Sequence, residues 1–285
     1  MKYRIAKKIT FLTLVFTLCA LTTNVVAFVH DGNTLPCANL SSGEINNVRS
    51  YLSTQYNNST SNGALSAHMG YQIALKAISY AGTPYGTMDC SNLTRTSVRN
   101  AYSAEGLLSG CIFTSTSNSA QQYSILNQNG LIINNNVDGH TDIVRDNAQT
   151  GDLLFWENPA TGAINHVGIF VKYNSNAYII ESSRSAEKVV VSNRVWTSSK
   201  YKLCAYGRIN TVKTATFKTS PFNVTIGTSK VLYNCPPTLP TLPTYSGYTF
   251  LYWTPSTTAG MTSNKTYTAV YTNAQVNRTG GCNKR

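Results

Sequence analysis

The spacing of apolar residues changes from helical to strand-like along the chain, and this change restricts the fold more than any other feature. From Leu65, apolar residues recur every three to four positions until Gly82-Thr-Pro, where proline disfavours a helix. A second helical stretch runs from about Cys90 to Tyr102. Five short β-branched or aromatic segments follow, at Asp152–Trp156, His166–Tyr173, Ala177–Ser182, Lys188–Ser192 and Leu203–Ile209. Helices that precede strands predict an α+β domain over about 64–210.

The composition is that of a folded protein with few charges. Hydrophobic residues make up 42% of the 285 residues, which argues against a disordered chain. Charged residues make up only 12%, and the net charge is +12. Apart from the N-terminus, the chain has no run of Lys or Arg, so we expect no nucleic-acid partner. A diffuse basic surface suits an anionic polymer such as a bacterial wall, or serves solubility alone.

Residues 1–27 have the layout of a secretory signal peptide. Basic residues between Lys2 and Lys8 precede an apolar stretch from Ile9 to about Leu21, and small residues end at Ala27. The apolar stretch is shorter than the ~20 residues that span a bilayer. We therefore predict cleavage after Ala27, secretion to the extracellular space or cell surface, and no stable membrane insertion afterwards. An uncleaved membrane anchor is the alternative.

The rest of the chain divides by composition. The predicted segments are 28–63, polar with a short helix near 44–56; 64–210, the α+β domain; 211–220, a Thr/Lys-rich linker; 221–272, a small β-rich domain; and 273–285, a polar tail. Signal cleavage would leave six cysteines, and cysteines of exported proteins commonly pair. Cys235 and Cys282 bracket the second domain, so a disulfide between them would staple its small core.

Cys90 lies at a predicted helix start, directly after Asp89 as a candidate N-cap. The first amides of a helix are unpaired and carry partial positive charge, which favours a thiolate and suits a developing oxyanion. Cys90 is therefore a candidate nucleophile. The alternative is a disulfide-bonded structural cysteine.

His166 begins an alternating strand and shares a face with Gly168, whose missing side chain leaves space beside the imidazole. Glu181 lies in the next strand. If the two strands pair as an antiparallel hairpin, Glu181 lies beside His166 and orients its ring, as the third member of a catalytic triad does. The alternatives are a structural histidine and an exposed surface carboxylate.

These segments together resemble the NlpC-type cell-wall peptidases over roughly 70–209. The resemblance lies in Asp-Cys-Ser at a helix start, Gly-Asp-Leu-Leu-Phe from Gly151 and His-Val-Gly-Ile-Phe-Val from His166. It implies a papain-like α+β fold in which N-terminal helices pack on an antiparallel sheet. It also implies that Cys90 is the nucleophile, His166 the general base and Glu181 the third residue.

The same resemblance places Tyr85 in the site beside the cysteine. With it, Asp89 and Ser91, which flank Cys90, are expected to contact substrate. No metal is expected, because His140 and Asp142 lack a third ligand at a supporting spacing. No organic cofactor is expected either.

The implied function is a secreted cysteine peptidase that hydrolyses amide bonds in peptidoglycan stem peptides or muropeptides, with γ-D-glutamyl to diamino acid as the favoured bond. One alternative is an N-acetylmuramoyl-L-alanine amidase or another amide hydrolase on the same fold. Another is a non-catalytic cell-surface binding protein in which Cys90 is disulfide-bonded.

Two further expectations concern other parts of the chain. The segment from Pro243 to Tyr271 is similar to small β-grasp-like surface repeats of the internalin type. It is either a wall- or surface-binding module or a passive spacer with a minimal aromatic core. His68, on the polar side of the first helix, is expected to be solvated.

Overall fold

The computed structural model describes residues 39–61, 63–193 and 195–273. The predicted signal peptide, Cys37, Cys282 and nearly all of the predicted tail lie outside these residues. The described helices are α1 (Ser42–Ser61), α2 (Leu65–Ile78), α3 (Cys90–Ala104), α4 (Ser119–Gln128) and α5 (Thr141–Asn147). In the part of the chain that the structure describes, no helix is both long and apolar enough to cross a membrane.

The described strands form two sheets. They are β1 (Ile132–Asn134), β2 (Leu153–Glu157), β3 (Ile164–Tyr173), β4 (Asn176–Ser183), β5 (Lys188–Ser192), β6 (Lys202–Gly207), β7 (Val212–Ser220), β8 (Thr225–Leu232), β9 (Tyr248–Thr254) and β10 (Lys265–Asn273). The first sheet is antiparallel, in the order β1-β6-β2-β3-β4-β5.

The helices pack on the first sheet through one continuous apolar core. Ile73 of α2 and Leu93 of α3 are fully buried, as are Val167, Ile169 and Val171 on one face of β3. These are the positions at which helical and alternating periodicities coincide with apolar side chains. The predicted α+β architecture is confirmed.

A close approach between α2 and the turn before β2 fixes the start of that strand. A Cβ atom on Gly70 would lie 2.2 Å from the carbonyl oxygen of Thr150, and Gly151 has a φ of +94°. The next residue, Asp152, is buried and accepts two hydrogen bonds of 2.8 Å from the guanidinium of Arg208. This ion pair joins the start of β2 to the end of β6.

The predicted linker over 211–220 is wrong, because these residues contain β7. The second sheet has the order β8-β7-β10-β9, and β7 pairs in parallel with β10. Ala215, Phe217 and Thr219 alternate on the buried side of β7. The Thr and Lys residues between them occupy the other side, as the period of a strand requires.

The second sheet contacts the rest of the chain at the end of β8. The hydroxyl of Tyr233 donates to Asn129 at 2.7 Å, and Cys235 packs against Gly110, next to Cys111. The predicted pairing of Cys235 with Cys282 stays a prediction, because Cys282 lies outside the described residues. Among those residues the cysteines are free thiols: Cys90, Cys111, Cys204 and Cys235.

His68 is buried rather than solvated. Its Nε2 lies 3.3 Å from the carboxylate of Glu105, and its ring stacks on Tyr56 with 4.3 Å between centroids. The expectation of a solvated side chain is wrong because α1 covers the polar side of α2, which gives the imidazole protein partners in place of water.

Candidate active site

Cys90 is the first residue of α3, and Asp89 is the N-cap as predicted. The Asp89 carboxylate accepts hydrogen bonds from the Asn92 amide at 2.7 Å and from the Ser91 hydroxyl at 2.8 Å. The first amides of a helix have no carbonyl of their own helix to bond, and they carry partial positive charge. The Cys90 side chain, 6% exposed, therefore lies where negative charge is stabilised.

The loop that precedes Cys90 is tied to the strands on one side of the site. The Tyr85 amide donates to the Glu187 carbonyl at 2.8 Å, in the turn before β5. The Ser182 hydroxyl, in β4, donates to the carbonyl of Met88. These bonds fix the position of Cys90 relative to the strand that carries Glu181.

Helix α4 holds the first turn of α3 from the other side. The fully buried Gln122 amide donates to the Ser91 carbonyl at 2.9 Å and accepts from the Thr94 hydroxyl at 2.7 Å. Buried polar groups persist when they are hydrogen-bonded, so this contact is a specific link between the two helices. Gln122 could not be predicted from the sequence, because Ser91 and Thr94 lie about 30 residues away along the chain.

The structure places Glu181 beside His166, in the arrangement that the hairpin interpretation requires. Strands β3 and β4 pair antiparallel, and His166 Nε2 lies 2.6 Å from Glu181 Oε2. A Cβ atom on Gly168 would lie 2.8 Å from Ile179 Cγ2 and 3.5 Å from Glu181 Cβ. The missing side chain at Gly168 thus leaves room for the residues opposite. Both His166 and Glu181 are buried.

His166 also interacts with Cys90, so that the imidazole lies between a thiol and a carboxylate. With Nε2 engaged by Glu181, Nδ1 is the nitrogen left for the thiol. Burial lowers the pKa of His166, but the hydrogen bonds with Cys90 and Glu181 and the charges of both partners outweigh it and raise the pKa to about 10. The arrangement favours an imidazolium ion next to the Cys90 sulfur.

In the described part of the chain, three aromatic rings surround the imidazole, and none of them was predicted as a site residue. The His166 ring centroid lies 5.2 Å from that of Trp156, 5.5 Å from Trp196 and 6.1 Å from Tyr201. Trp156 is the cross-strand neighbour of His166 in β2. Trp196 and Tyr201 lie in the loop between β5 and β6, where no periodicity marks them.

Glu181 has further partners besides His166. Its Oε1 accepts hydrogen bonds from the Trp196 indole at 3.0 Å and from the Ser192 hydroxyl at 3.3 Å. The carboxylate, 4% exposed, therefore has donors on both oxygens. Glu181 is therefore not the exposed surface carboxylate that was the alternative in the sequence analysis.

The predicted substrate-contacting residues surround the cysteine in different ways. Tyr85 is half-buried, and burial together with the nearby Cys90 and Asp89 raises the pKa of its phenol. Asp89 is exposed. Ser91 is largely buried, and its hydroxyl is engaged by the Asp89 carboxylate and by Arg95 at 3.1 Å.

The comparisons with known proteins agree with the resemblance in the sequence. Residues 76–208 match the family model described as the NlpC/P60 family. A comparison with curated proteins found no match.

Two crystal structures of an N-acetylmuramoyl-L-alanine amidase from Bacteroides uniformis, at 1.15 and 1.07 Å resolution, are similar to this chain. Each is 13% identical and covers 49% of this chain and 98% of its own, with a TM-score of 0.36. The family match includes Cys90, His166 and Glu181, and residues 76–208 have the papain-like α+β fold of that family.

Proposed function

We propose that this protein is a cysteine peptidase that hydrolyses amide bonds in peptidoglycan stem peptides. The observation that carries the proposal is the chain of contacts from Cys90 at the start of α3 to the His166 imidazole and on to the buried Glu181 carboxylate. A thiol, a base and a group that orients the base are the parts that nucleophilic catalysis of acyl transfer needs. Membership in a family of cell-wall hydrolases supports the substrate class.

In the proposed reaction, the Cys90 sulfur attacks the carbonyl carbon of the amide, and the thiol proton resides on His166. The oxyanion that forms is stabilised by the Cys90 amide and a neighbouring donor at the helix start. His166 then gives its proton to the leaving amine, which departs and leaves a thioester on Cys90. Water attacks the thioester, its proton passes to His166, and the carboxylic acid and the free thiol are released.

The favoured bond is that between γ-D-glutamate and a diamino acid, which follows from the resemblance to the NlpC-type peptidases. The alternative is the amide between N-acetylmuramic acid and L-alanine. Product masses distinguish the two, since an endopeptidase releases a shortened peptide whereas an amidase releases the whole stem peptide from the sugar.

Incubation of the purified chain with defined muropeptides, followed by mass spectrometry, tests the proposal. We expect wild-type protein to yield one set of cleavage products, Cys90→Ala to yield none, and Cys204→Ala to cleave like the wild type. Cys204 is a matched control, because it is a free thiol in β6 whose sulfur contacts the Phe155 carbonyl at 3.3 Å. Undiminished cleavage by Cys90→Ala would refute the mechanism.

We propose in addition that the protein is secreted, on the strength of the basic and apolar pattern of residues 1–27.

We also propose that the second sheet binds the cell wall. This proposal rests on the similarity to internalin-type repeats and on two apolar side chains that the sheet exposes, Leu251 at 51% and Tyr252 at 55%. Sedimentation of Cys90→Ala protein with purified walls tests that role. Loss of sedimentation in a Leu251→Ser, Tyr252→Ser background would support it, and unchanged sedimentation would exclude this surface.

A further inference from the structure

Trp196 contacts the His166–Glu181 pair from a loop outside the sheet. Its indole nitrogen donates to Glu181 Oε1 at 3.0 Å, and its ring centroid lies 5.5 Å from that of His166. The ring is held by its own neighbours. It stacks on Trp156 with 4.9 Å between centroids and an interplanar angle of 18°, and the edge of Tyr201 packs against it.

The backbone of Trp196 is fixed by the same neighbour. The indole nitrogen of Trp156 donates to the Trp196 carbonyl at 2.7 Å. Trp156 is fully buried in β2, directly across from His166. The position of the Trp196 indole is therefore set by the strand next to the catalytic histidine rather than by the loop alone.

The chemistry of the indole decides what this contact does to the carboxylate. An indole N–H donates hydrogen bonds and accepts none, so Trp196 can act on Glu181 Oε1 only as a donor. A buried carboxylate is costly unless donors compensate for lost water, and Oε1 also accepts a longer bond of 3.3 Å from the Ser192 hydroxyl. Because the Trp196 indole occupies Oε1, the other oxygen, Oε2, is directed at His166 Nε2.

We infer that Trp196 is a positioning residue, whose indole N–H holds Glu181 Oε1 and so directs Oε2 at His166, so that the imidazole is oriented toward Cys90. The kinetic part of this inference rests on the proposed function, whereas the effect on the histidine does not. Among the residues that the structure describes, the titratable groups that face His166 are Cys90 of α3, Glu181 of β4 and Tyr201 of the loop. The indole N–H is neutral and acts through Glu181.

The first test is an NMR titration of the His166 imidazole in full-length wild type and in Trp196→Phe, which keeps an aromatic ring and removes the N–H. We expect Trp196→Phe to lower the pKa of His166 by about one unit or more, which is at least a tenfold loss of preference for the imidazolium. Trp253→Phe is the matched control. Trp253 packs on Phe217 in the second sheet, and its replacement is expected to leave the titration unchanged.

The second test is kinetic. We expect kcat of Trp196→Phe to fall roughly tenfold with little change in KM, the loss seen when an outer hydrogen bond no longer orients a functional group. The alkaline limb of its pH profile should move down together with the histidine pKa. If wild-type protein cleaves no muropeptide, the proposed function fails, and the NMR titration alone decides the role of Trp196.

Replacement of Trp196 by benzothienyl-alanine covers the case in which Trp196→Phe does not fold. This side chain keeps the shape of the indole and has sulfur in place of the N–H. A downward shift of the histidine pKa in either folded variant supports the inference. A wild-type titration and pH profile in a folded protein without the N–H would overturn it and leave Trp196 as a packing residue.

Discussion

The Ser182 hydroxyl donates a hydrogen bond to the carbonyl of Met88 and so joins the strand of Glu181 to the loop of Cys90. Ser182 follows Glu181 directly, and Met88 lies two residues before Cys90. Together with the bond from the Tyr85 amide to the Glu187 carbonyl, this bond sets the distance between Cys90 and Glu181.

Loss of that bond is expected to lower both activity and stability. Ser182→Ala leaves the Met88 carbonyl without this donor, which should cost about 1–3 kcal/mol in the free energy of unfolding. It should also reduce kcat/KM, because Cys90 is held less firmly against His166. Urea denaturation and muropeptide kinetics measure the two effects. Ser183→Ala is the control, since its hydroxyl contacts Ser185 in the following turn, and equal losses in both variants would contradict this account.

Replacement of Glu181 by Gln is expected to change the pH dependence of the reaction. The pKa of His166 is raised to about 10, and the charge of Glu181 contributes to the increase. Without that charge the imidazolium loses its proton at lower pH, so the alkaline limb of kcat/KM should move down by about one unit or more. If kcat/KM of the variant falls at the same alkaline pH as that of the wild type, this prediction is wrong.

The raised pKa of His166 also predicts how the free energy of unfolding varies with pH. The folded pKa of His166, about 10, lies above the ordinary value of 6.5, so its protonation stabilises the fold fully below pH 6.5. This contribution is lost as the pH rises toward 10. Denaturation midpoints of wild type and Glu181→Gln should therefore approach each other over that range, and a constant difference would argue against the assignment.

The four described cysteines should differ in their reactivity toward iodoacetamide. Burial raises the pKa of Cys204 to about 12 and that of Cys235 to about 11, and it raises the pKa of Cys111. Thiols with raised pKa react slowly near neutral pH. Cys90 lies at a helix start against His166, so we expect it to be alkylated first, as read by peptide mapping. Labelling of Cys90 only after reduction would favour the disulfide-bonded binding protein.

Gly70→Ala is expected to destabilise the protein, although alanine is the better helix former. The added methyl group would lie 2.2 Å from the Thr150 carbonyl oxygen, so the turn before β2 has to shift. Overpacking of this kind costs about 1–3 kcal/mol. Gly43→Ala in α1 is the matched control, because its methyl group meets nothing within 4 Å. Thermal denaturation should show a lower midpoint for the first variant only.

The elements of the site that could be predicted are those marked by local patterns. Asp89 and Cys90 were found because a cap and a helix start are adjacent in sequence. Glu181 was found because strand alternation and a short hairpin fix which residues lie opposite each other. For these residues a local rule is sufficient, because the contacts follow from the geometry of one helix start and one pair of strands.

The contacts that could not be predicted join residues on elements that are far apart in the sequence. Trp196 is in a loop without periodicity, and Gln122 comes from a helix in the Ser/Asn-rich middle of the chain. The burial of His68 could not be predicted, because Glu105, whose carboxylate lies 3.3 Å from its ring nitrogen, is at the end of another helix. Strand β7 was missed for a different reason: its Thr and Lys residues suggested a linker, although Ala215 and Phe217 alternate as strand residues do.

The parallel pairing of β7 with β10 has a consequence for synthesis of the chain. Ala215 pairs with Lys265, so the β7–β8 hairpin emerges from the ribosome well before the strand that covers its other edge. Until then β7 exposes unpaired backbone groups, which are a template for association with other chains. A nascent chain that terminates before β10 should therefore aggregate, even though every residue that matches the NlpC/P60 family model has already been translated.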